Sequence, residues 1–270
     1  MSELRVAVAG CGFAITPAEE LSSEERRALS RLASNTSDED SFTIILGDSP
    51  RPLMKDAPKD GEPAKITADD HGVCVAHSRF AATIDPLARE ATLYREDKSN
   101  GFAIECTLRT ALGCLLPLNS GLLMHTAGIV IDGAAYLFYG VSGAGKSTFA
   151  GFMRDVLSDE LVAVHRGFAR ATGFWGTLDA ADAPAGSYPL RATIELARGD
   201  DVALQSLTAH DARKSLLMCA VVPPHQHLWT YALPVIDTLA RLPSFRLEWT
   251  PSQTNADEVV SRLRGFEAAK

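Results

Sequence analysis

The run Gly140-Val141-Ser142-Gly143-Ala144-Gly145-Lys146-Ser147-Thr148 matches the pattern G-x-x-x-x-G-K-[ST] without deviation. Glycines at 140, 143 and 145 allow backbone angles that a Cβ would oppose, so successive N–H groups can turn inward around a phosphate. A helix starting at the end of the loop adds free N–H groups and the positive end of its dipole. Lys146 would then reach the β- and γ-phosphates of a nucleotide, and the Ser147 hydroxyl would ligate Mg²⁺. This mechanism needs a strand before the loop and a helix after it. Both are legible: Ala134–Tyr139 is apolar and aromatic, and residues 147–157 can form a helix. The chain therefore reads as an α/β protein with a nucleotide-binding loop.

Working outward, Asp132-Gly133 is a two-residue hairpin signal between Ala134–Tyr139 and an apolar strand expected over Leu122–Ile131. Ile104, Leu108, Ala111, Leu112 and Leu115 form the stripe of an amphipathic helix that Pro117 ends. Downstream, strands are expected at Leu161–Val164, Leu190–Leu196 and Phe245–Trp249. Helices are expected at Asp211–Val221, Leu228–Arg241 and Ala256–Phe266, the last opened by an Asn255/Glu258 capping box.

A phosphate loop needs an acidic partner. Val235-Ile236-Asp237 is the nearest approach to an apolar strand ending in Asp, but Pro234 and a helical pattern surround it. No N-K-x-D motif, which would read guanine, occurs in the chain. Asp159-Glu160 stands instead before Leu161–Val164, just past the helix that follows the loop. Two carboxylates there can divide the work, one holding Mg²⁺ and the other taking the proton of an attacking hydroxyl. Alone, the pair reads equally as a solvated helix-to-strand turn. The neighbouring loop favours function.

Leu123-Met124-His125-Thr126-Ala127-Gly128-Ile129-Val130, Tyr136-Leu137-Phe138, Gly140–Thr148 and Leu157-Ser158-Asp159-Glu160-Leu161-Val162 together resemble the catalytic domain of the HPr kinase/phosphorylase superfamily. They are most similar to the HPr-kinase-like serine kinases found with peptide-modification and other gene clusters. The resemblance spans residues 100–250 and is most specific over 122–164. It implies a fold related to the nucleotide domain of phosphoenolpyruvate carboxykinase, with the loop on a mixed sheet. It implies Asp159 as the base for a serine hydroxyl, His125 beside that acid, and Glu160 by the metal, where better-known kinases have Asp. A serine acceptor in a peptide or protein (a precursor peptide included) and a homo-oligomer follow from the same likeness; ATP with Mg²⁺ is the expected donor, with GTP the alternative because nothing in the chain reads the base of the nucleotide.

Two further segments carry the resemblance. Ala171-Thr172-Gly173-Phe174-Trp175-Gly176 resembles the relatives' G-T-P-F-x-G loop, with Gly173 where Pro is usual, and Tyr188-Pro189-Leu190-Arg191 resembles their A-P-L-R. Thr172, Trp175 and Arg191 are accordingly expected on the acceptor side. The Glu-x-Arg-Gly…Gly-Ile-x-Asn-Val stretch of the phosphorylase members has no counterpart after Arg166. The likeness therefore gives no ground for the reverse, phosphate-driven reaction, or for HPr itself as acceptor.

Composition bounds the rest. The 270 residues, 46% of them hydrophobic, suffice for one large domain or two modest ones. A boundary is expected near residue 100, with a small α+β domain at 1–100, for acceptor recognition or assembly, and the kinase domain at 101–270. Against 34 Asp+Glu stand 26 Lys+Arg, a net charge of −8, which argues against a general nucleic-acid or membrane-surface binder. No apolar run reaches the roughly 18 residues of a membrane span. Five scattered cysteines without a CxxC pair suit neither a disulfide framework nor a zinc ribbon, and a cytoplasmic location is expected.

In the first domain, strands are expected at Leu4–Ala9, Phe42–Leu46, Gly72–Ala76, Phe80–Ile84 and Glu90–Tyr94, and a helix over Glu19–Ala33. A surface loop over residues 50–71 carries Arg51, Lys55, Asp56, Lys59 and Asp60. Weaker candidates complete the list. Arg166, Arg170 and Arg191 are candidate clamps for the γ-phosphate, set against the commoner role of a surface arginine. His225-Gln226-His227 alternates as a metal site would, but follows Pro223-Pro224. Gly10-Cys11-Gly12 lacks the third glycine of a dinucleotide fingerprint and reads as a turn out of an edge strand. Trp175, Trp229 and Trp249 read as core. Two alternatives to a peptide kinase stand: a non-catalytic nucleotide-binding regulator, and a kinase of a small hydroxyl compound such as a free amino acid or sugar.

Overall fold

The computed structural model describes residues 2–32, 41–47, 57–59, 61–96, 98–99, 101–178 and 182–268, the last three by backbone alone. The described residues form a mixed α/β chain with six α-helices and two mixed sheets. They divide into two compact units, Met1–Leu122 with Val222–Ala232, and Leu123–Val221 with Leu233–Lys270.

The first unit is built on seven strands: β1 (Leu4–Val8), β2 (Cys11–Thr16), β3 (Ser41–Leu46), β4 (Lys65–Asp69), β5 (Gly72–His77), β6 (Phe80–Asp85) and β7 (Glu90–Arg95). Their order is β1-β2-β3-β7-β6-β5-β4, parallel across β2-β3-β7 and antiparallel elsewhere. Helix α1 (Ser23–Leu32) packs on β1, and α2 (Phe102–Leu118) packs on β5, β6, β7 and α1. Helix α1 opens with a reciprocal capping box: the Glu25 N–H donates to Ser22 Oγ at 3.2 Å, and the Ser22 N–H to Glu25 Oε2 at 2.9 Å.

Helix α2 departs from its sequence pattern. It is buried on nearly every side from Ala103 to Pro117, not along one stripe, and Pro117 lies within its last turn. Its hydroxyls avoid a desolvation cost by folding back, Thr107 onto the Ala103 carbonyl and Thr110 onto that of Cys106. Burial against β5–β7 places α2 in the first unit, which therefore runs beyond the boundary expected near residue 100. In this unit two strands escape the sequence reading, as the strands Val156–Ser158, Phe168–Ala171 and Ala203–Ser206 do in the second. Positive φ at Ala9 and Gly10 makes Gly10-Cys11-Gly12 the end of a hairpin and the start of β2, and β2 is buried on both faces, so no alternation marks it. Strand β4 lies inside the expected 50–71 loop, of which Arg51, Lys55, Asp56 and Asp60 are outside the described residues.

The second unit holds a nine-stranded sheet. Its strands are β8 (Gly121–His125), β9 (Ala127–Ile131), β10 (Ala134–Tyr139), β11 (Val156–Ser158), β12 (Leu161–His165), β13 (Phe168–Ala171), β14 (Ser187–Arg198), β15 (Ala203–Ser206) and β16 (Ser244–Trp249). The path runs β11-β9-β10-β14-β13-β12-β8, with β16 joined to β14 and β15. Helices α3 (Lys146–Ala150), α4 (Ala209–Cys219), α5 (Gln226–Ala240) and α6 (Gln253–Ala268) complete the chain. The core beneath α3 is aromatic: Phe149 stacks on Phe138 at 4.4 Å and meets Trp249 edge-on at 4.9 Å. Ile194, Leu196, Leu247, Val259 and Leu263 surround it.

Here too the pattern reading needs correction. The expected strand Leu122–Ile131 is two strands, broken at Thr126. The expected helix over 147–157 is the five-residue α3, because the Phe152 and Met153 N–H groups close three-residue turns on the Phe149 and Ala150 carbonyls and the chain enters β11. Ser252 caps α6 through the Asn255 N–H at 3.1 Å, while Glu258 pairs with Arg262, so the Asn255/Glu258 box is not formed. Asp237 lies on α5, paired with Arg213 at 2.8 Å. Trp249 is buried and Trp229 half-buried, but Trp175 is 44% exposed and is not core. Among the described residues no helix is long and apolar enough to cross a membrane.

Candidate functional site

Strand β10 delivers the chain to Gly140, where a Cβ would lie 2.9 Å from the Leu196 carbonyl oxygen and from the Ala144 methyl. Gly143 and Gly145 take φ of +79° and +97°, the left-handed turns that let Val141–Thr148 double back. The Lys146 ammonium donates to the Gly140 carbonyl at 3.0 Å, closing the loop on itself. One of its three N–H donors is used there, which leaves two for a ligand. Val141, Ser142, Gly143 and Thr148 are exposed, Gly145, Lys146 and Ser147 half-buried, and Ala144 buried. With α3 only five residues long, the helix dipole expected from sequence is small, and the polar groups this segment presents are chiefly the loop amides and Lys146.

Strand register brings the other expected groups to the same end of the sheet. Leu137 pairs with Gly128, and Phe138 with Ala127, so β9 begins where β10 ends. Ser158, the last residue of β11, also pairs with Gly128. At about 4.8 Å per strand, the Asp159-Glu160 pair begins about 10 Å across the sheet from the start of the loop. His125 stands just before β9. Its Nε2 lies 3.4 Å from Glu160 Oε2, and the two side chains are 49% and 37% exposed.

Asp159 is different. It is 2% exposed, and its carboxylate accepts the Thr177 N–H at 3.1 Å from each oxygen and the Leu178 N–H at 3.3 Å. Gly176 is pressed so close that a Cβ there would fall 2.1 Å from Asp159 Oδ1. A cavity of about 160 Å³ adjoins Asp159, lined by Met153, Arg154, Phe174, Leu178 and Asp182 among others, but by no residue of Gly140–Thr148. Thr172 is buried with its hydroxyl on the Leu161 carbonyl at 2.8 Å, so it braces the 172–178 segment. Trp175, one residue before Gly176, is on the surface.

The arginine clamps are not brought to the loop. The Gly167 carbonyl accepts the Leu190 N–H at 2.8 Å, and Leu190 pairs with Ala135, so Arg166 and Arg191 lie beside the start of β10. The loop leaves from its other end, about 13 Å along the strand. Arg170 sits within β13, opposite Ser187. The cation that does meet the loop is Arg198, at the end of β14, which donates to the Gly143 carbonyl at 3.4 Å. Glu195 also escaped sequence reasoning: it pairs with Tyr139 on the parallel neighbour of β10 and accepts from Ser215 Oγ at 3.1 Å. The run Ala192-Thr193-Ile194-Glu195 continues to Arg198 within β14, so no strand end marks Glu195 in the sequence. Cys219 lies under the loop, its thiol pushed up by burial and pulled back by the Lys146 ammonium and the Gly140 amide. The His225/His227 pair joins no metal-holding cluster: no group of three or more His, Cys, Asp or Glu suited to a metal occurs among the described residues.

No protein-family model matches the chain, and no curated protein matches it either.

Proposed function

We propose that the chain is an ATP- and Mg²⁺-dependent kinase that transfers the γ-phosphate to a hydroxyl acceptor, with serine of a peptide or protein as the leading class. The observation that carries the proposal is the closure of Lys146 on Gly140 across a glycine loop, at the sheet end that also holds His125 and Glu160. The resemblance to HPr-kinase-like serine kinases, and through them to a phosphoenolpyruvate-carboxykinase-like nucleotide fold, supports the same reading. Self-association as a homo-oligomer belongs to this proposal and rests on that resemblance alone; a cytoplasmic location belongs to it too and rests on the scattered cysteines.

In this reading the amides of Gly143–Ser147 and the two remaining Lys146 donors hold the β- and γ-phosphates. Ser147, half-buried at the start of α3, and a nearby carboxylate suit Mg²⁺, which needs only one or two protein oxygens when phosphates supply the rest. When bound, Mg²⁺ supplies charge neutralisation between the β- and γ-phosphates. An acid of the Asp159-Glu160 pair takes the acceptor proton as its oxygen attacks phosphorus.

The test is transfer of label from γ-labelled ATP to serine-containing peptides and to free serine, with Lys146→Ala as control. Label on an acceptor that disappears in Lys146→Ala supports the kinase. Tight ATP binding without transfer or hydrolysis would replace it with a nucleotide-binding regulator.

A further inference from the structure

Each glycine that turns the loop is met by the same pair of neighbouring strands. Strand β14 runs parallel to β10, and β16 parallel to β14, so both end at the edge of the sheet from which the loop leaves. In open α/β sheets that edge, beyond the carboxyl ends of the strands, is where ligands bind. Strand β14 passes the level of Tyr139, which pairs with Glu195, and reaches Arg198 about 10 Å further on. Leu196 presents its carbonyl to Gly140, where a Cβ would lie 2.9 Å away. Trp249, the β16 partner of Arg198, sets its ring 3.7 Å from where a Gly145 Cβ would stand. Both residues are buried. Arg198 meets Gly143 by donating to its carbonyl at 3.4 Å, and it alone of the three is exposed and charged.

That contact leaves most of the guanidinium unused. At 3.4 Å it is long for an N–H···O bond, and the Gly143 carbonyl is the one acceptor Arg198 has among the described residues. Arg246, the nearby cation of β16, is instead held by Glu248 at 3.8 Å. The backbone under Arg198 is fixed. The Gly199 N–H donates to the Trp249 carbonyl at 3.2 Å, and Thr250 Oγ1 donates to the Gly199 and Asp200 carbonyls. A planar fork of donors on a rigid strand end, already touching a glycine loop, suits a phosphate better than a point charge would. Its charge matters as well, because a polyphosphate approaches this chain against a net charge of −8.

We infer that Arg198 is a phosphate-contacting residue, the second cation of the loop beside Lys146. Its unused N–H groups take an oxygen of the nucleotide's polyphosphate tail. Arg198 thereby fills the role expected of Arg166, Arg170 and Arg191, which the fold does not bring to the loop. The inference rests on the loop holding a nucleotide, and stands whether or not phosphate is then transferred.

Equilibrium titration of the full chain with fluorescent ATP, and competition by inorganic tripolyphosphate, tests this. Wild type, Arg198→Ala, Arg198→Gln, Arg198→Lys and Lys146→Ala are compared, with the melting temperature of each. Arg198→Ala and Arg198→Gln should melt with wild type and each bind ATP about tenfold more weakly. Tripolyphosphate should lose the same factor, since the contact is to phosphate and not to the base. Arg198→Lys, which keeps the charge, should stay within about threefold of wild type. Added salt should narrow the gap between wild type and Arg198→Ala. Gln can still donate to the Gly143 carbonyl, so wild-type affinity in Arg198→Gln beside a loss in Arg198→Ala would make Arg198 a strut only and overturn the inference. ATP affinity within about twofold of wild type in Arg198→Ala would also overturn it, as would a loss for ATP that tripolyphosphate does not share. Where Arg198→Ala does not fold, Arg198→Gln decides alone. A wild type that binds neither probe, or a Lys146→Ala that binds both as wild type does, sinks the reading of the loop itself and the inference with it.

Discussion

The Lys146 ammonium and the Gly140 carbonyl, 3.0 Å apart, join the last turn of the glycine loop to its first residue. The cation is thus held in place by the loop itself, so a phosphate bound there, as proposed, would meet little further ordering cost. Lys146→Ala removes both the strut and the charge. Fluorescent-ATP affinity should fall roughly 10- to 100-fold, the equivalent of a charged hydrogen bond of about 1.5–3 kcal/mol. Equilibrium titration checks it, and an unchanged affinity would mean that the loop does not hold phosphate.

Gly101, the residue before α2, packs directly on α1: a Cβ there would fall 2.2 Å from the Ala28 methyl. Gly101→Ala should therefore destabilise the first unit by about 1–3 kcal/mol, the cost of overpacking a rigid contact. Urea unfolding should move to lower midpoint with an unchanged slope, and Ala28→Gly in the same chain should restore most of the loss.

Arg95 and Glu25 form an ion pair with both side chains buried, and Arg95 Nη2 also donates to the Glu20 carbonyl at 3.1 Å. Because Glu25 closes the capping box of α1 as well, loss of the arginine strands a carboxylate that the helix cannot release. Arg95→Met should cost about 3–5 kcal/mol. The double variant Arg95→Met/Glu25→Gln should recover part of it, and thermal unfolding of the four proteins of that cycle measures the coupling.

Burial pushes the Cys106 and Cys114 thiols up to about 12, with the Arg109 guanidinium partly opposing the shift at Cys106. In the unfolded chain a thiol ionises near 9.0. Below that pH both states keep their protons and stability is flat. Between 9 and 12 only the unfolded state releases them, so stability falls as pH rises, by up to about 1.4 kcal/mol per pH unit for each thiol. Melting temperature should drop from pH 8.5 to 10.5, less steeply in Cys106→Ala/Cys114→Ala. At pH 8, iodoacetamide should leave both residues unmodified until the protein is unfolded.

The same four-residue signal, a short polar residue followed three positions later by Glu, occurs at Ser22/Glu25 and at Asn255/Glu258, yet only the first forms a box. Glu25 is held by Arg95, a partner 70 residues away, whereas Glu258 has Arg262 one turn on. Local pattern names the motif; tertiary partners decide it. The strand–loop–helix around Gly140–Thr148, the Asp132-Gly133 hairpin and the positions of β3, β5, β6, β7, β10, β12 and β16 were legible because period, turn residues and glycines agree there. Strand β2 and the burial of α2 were not, since a segment apolar on every side has no period to read. Placement of Arg166 and Arg191 at the end of β10 away from the loop, and of Arg198 at the loop end, is a matter of strand register, which single-chain spacing does not contain.

Trp249 closes the underside of the glycine loop, its ring 3.7 Å from where a Gly145 Cβ would stand, with Val259 and Leu263 of α6 in the same core. Gly145 and Trp249 are 104 residues apart in the chain. At about 5–20 residues per second, a ribosome finishes the motif many seconds before it makes the surface that supports it. Throughout that interval the nascent chain carries the glycine loop with no floor beneath it. Premature termination before β16 would leave a polypeptide that retains every residue of the motif and lacks the ring that packs beneath it.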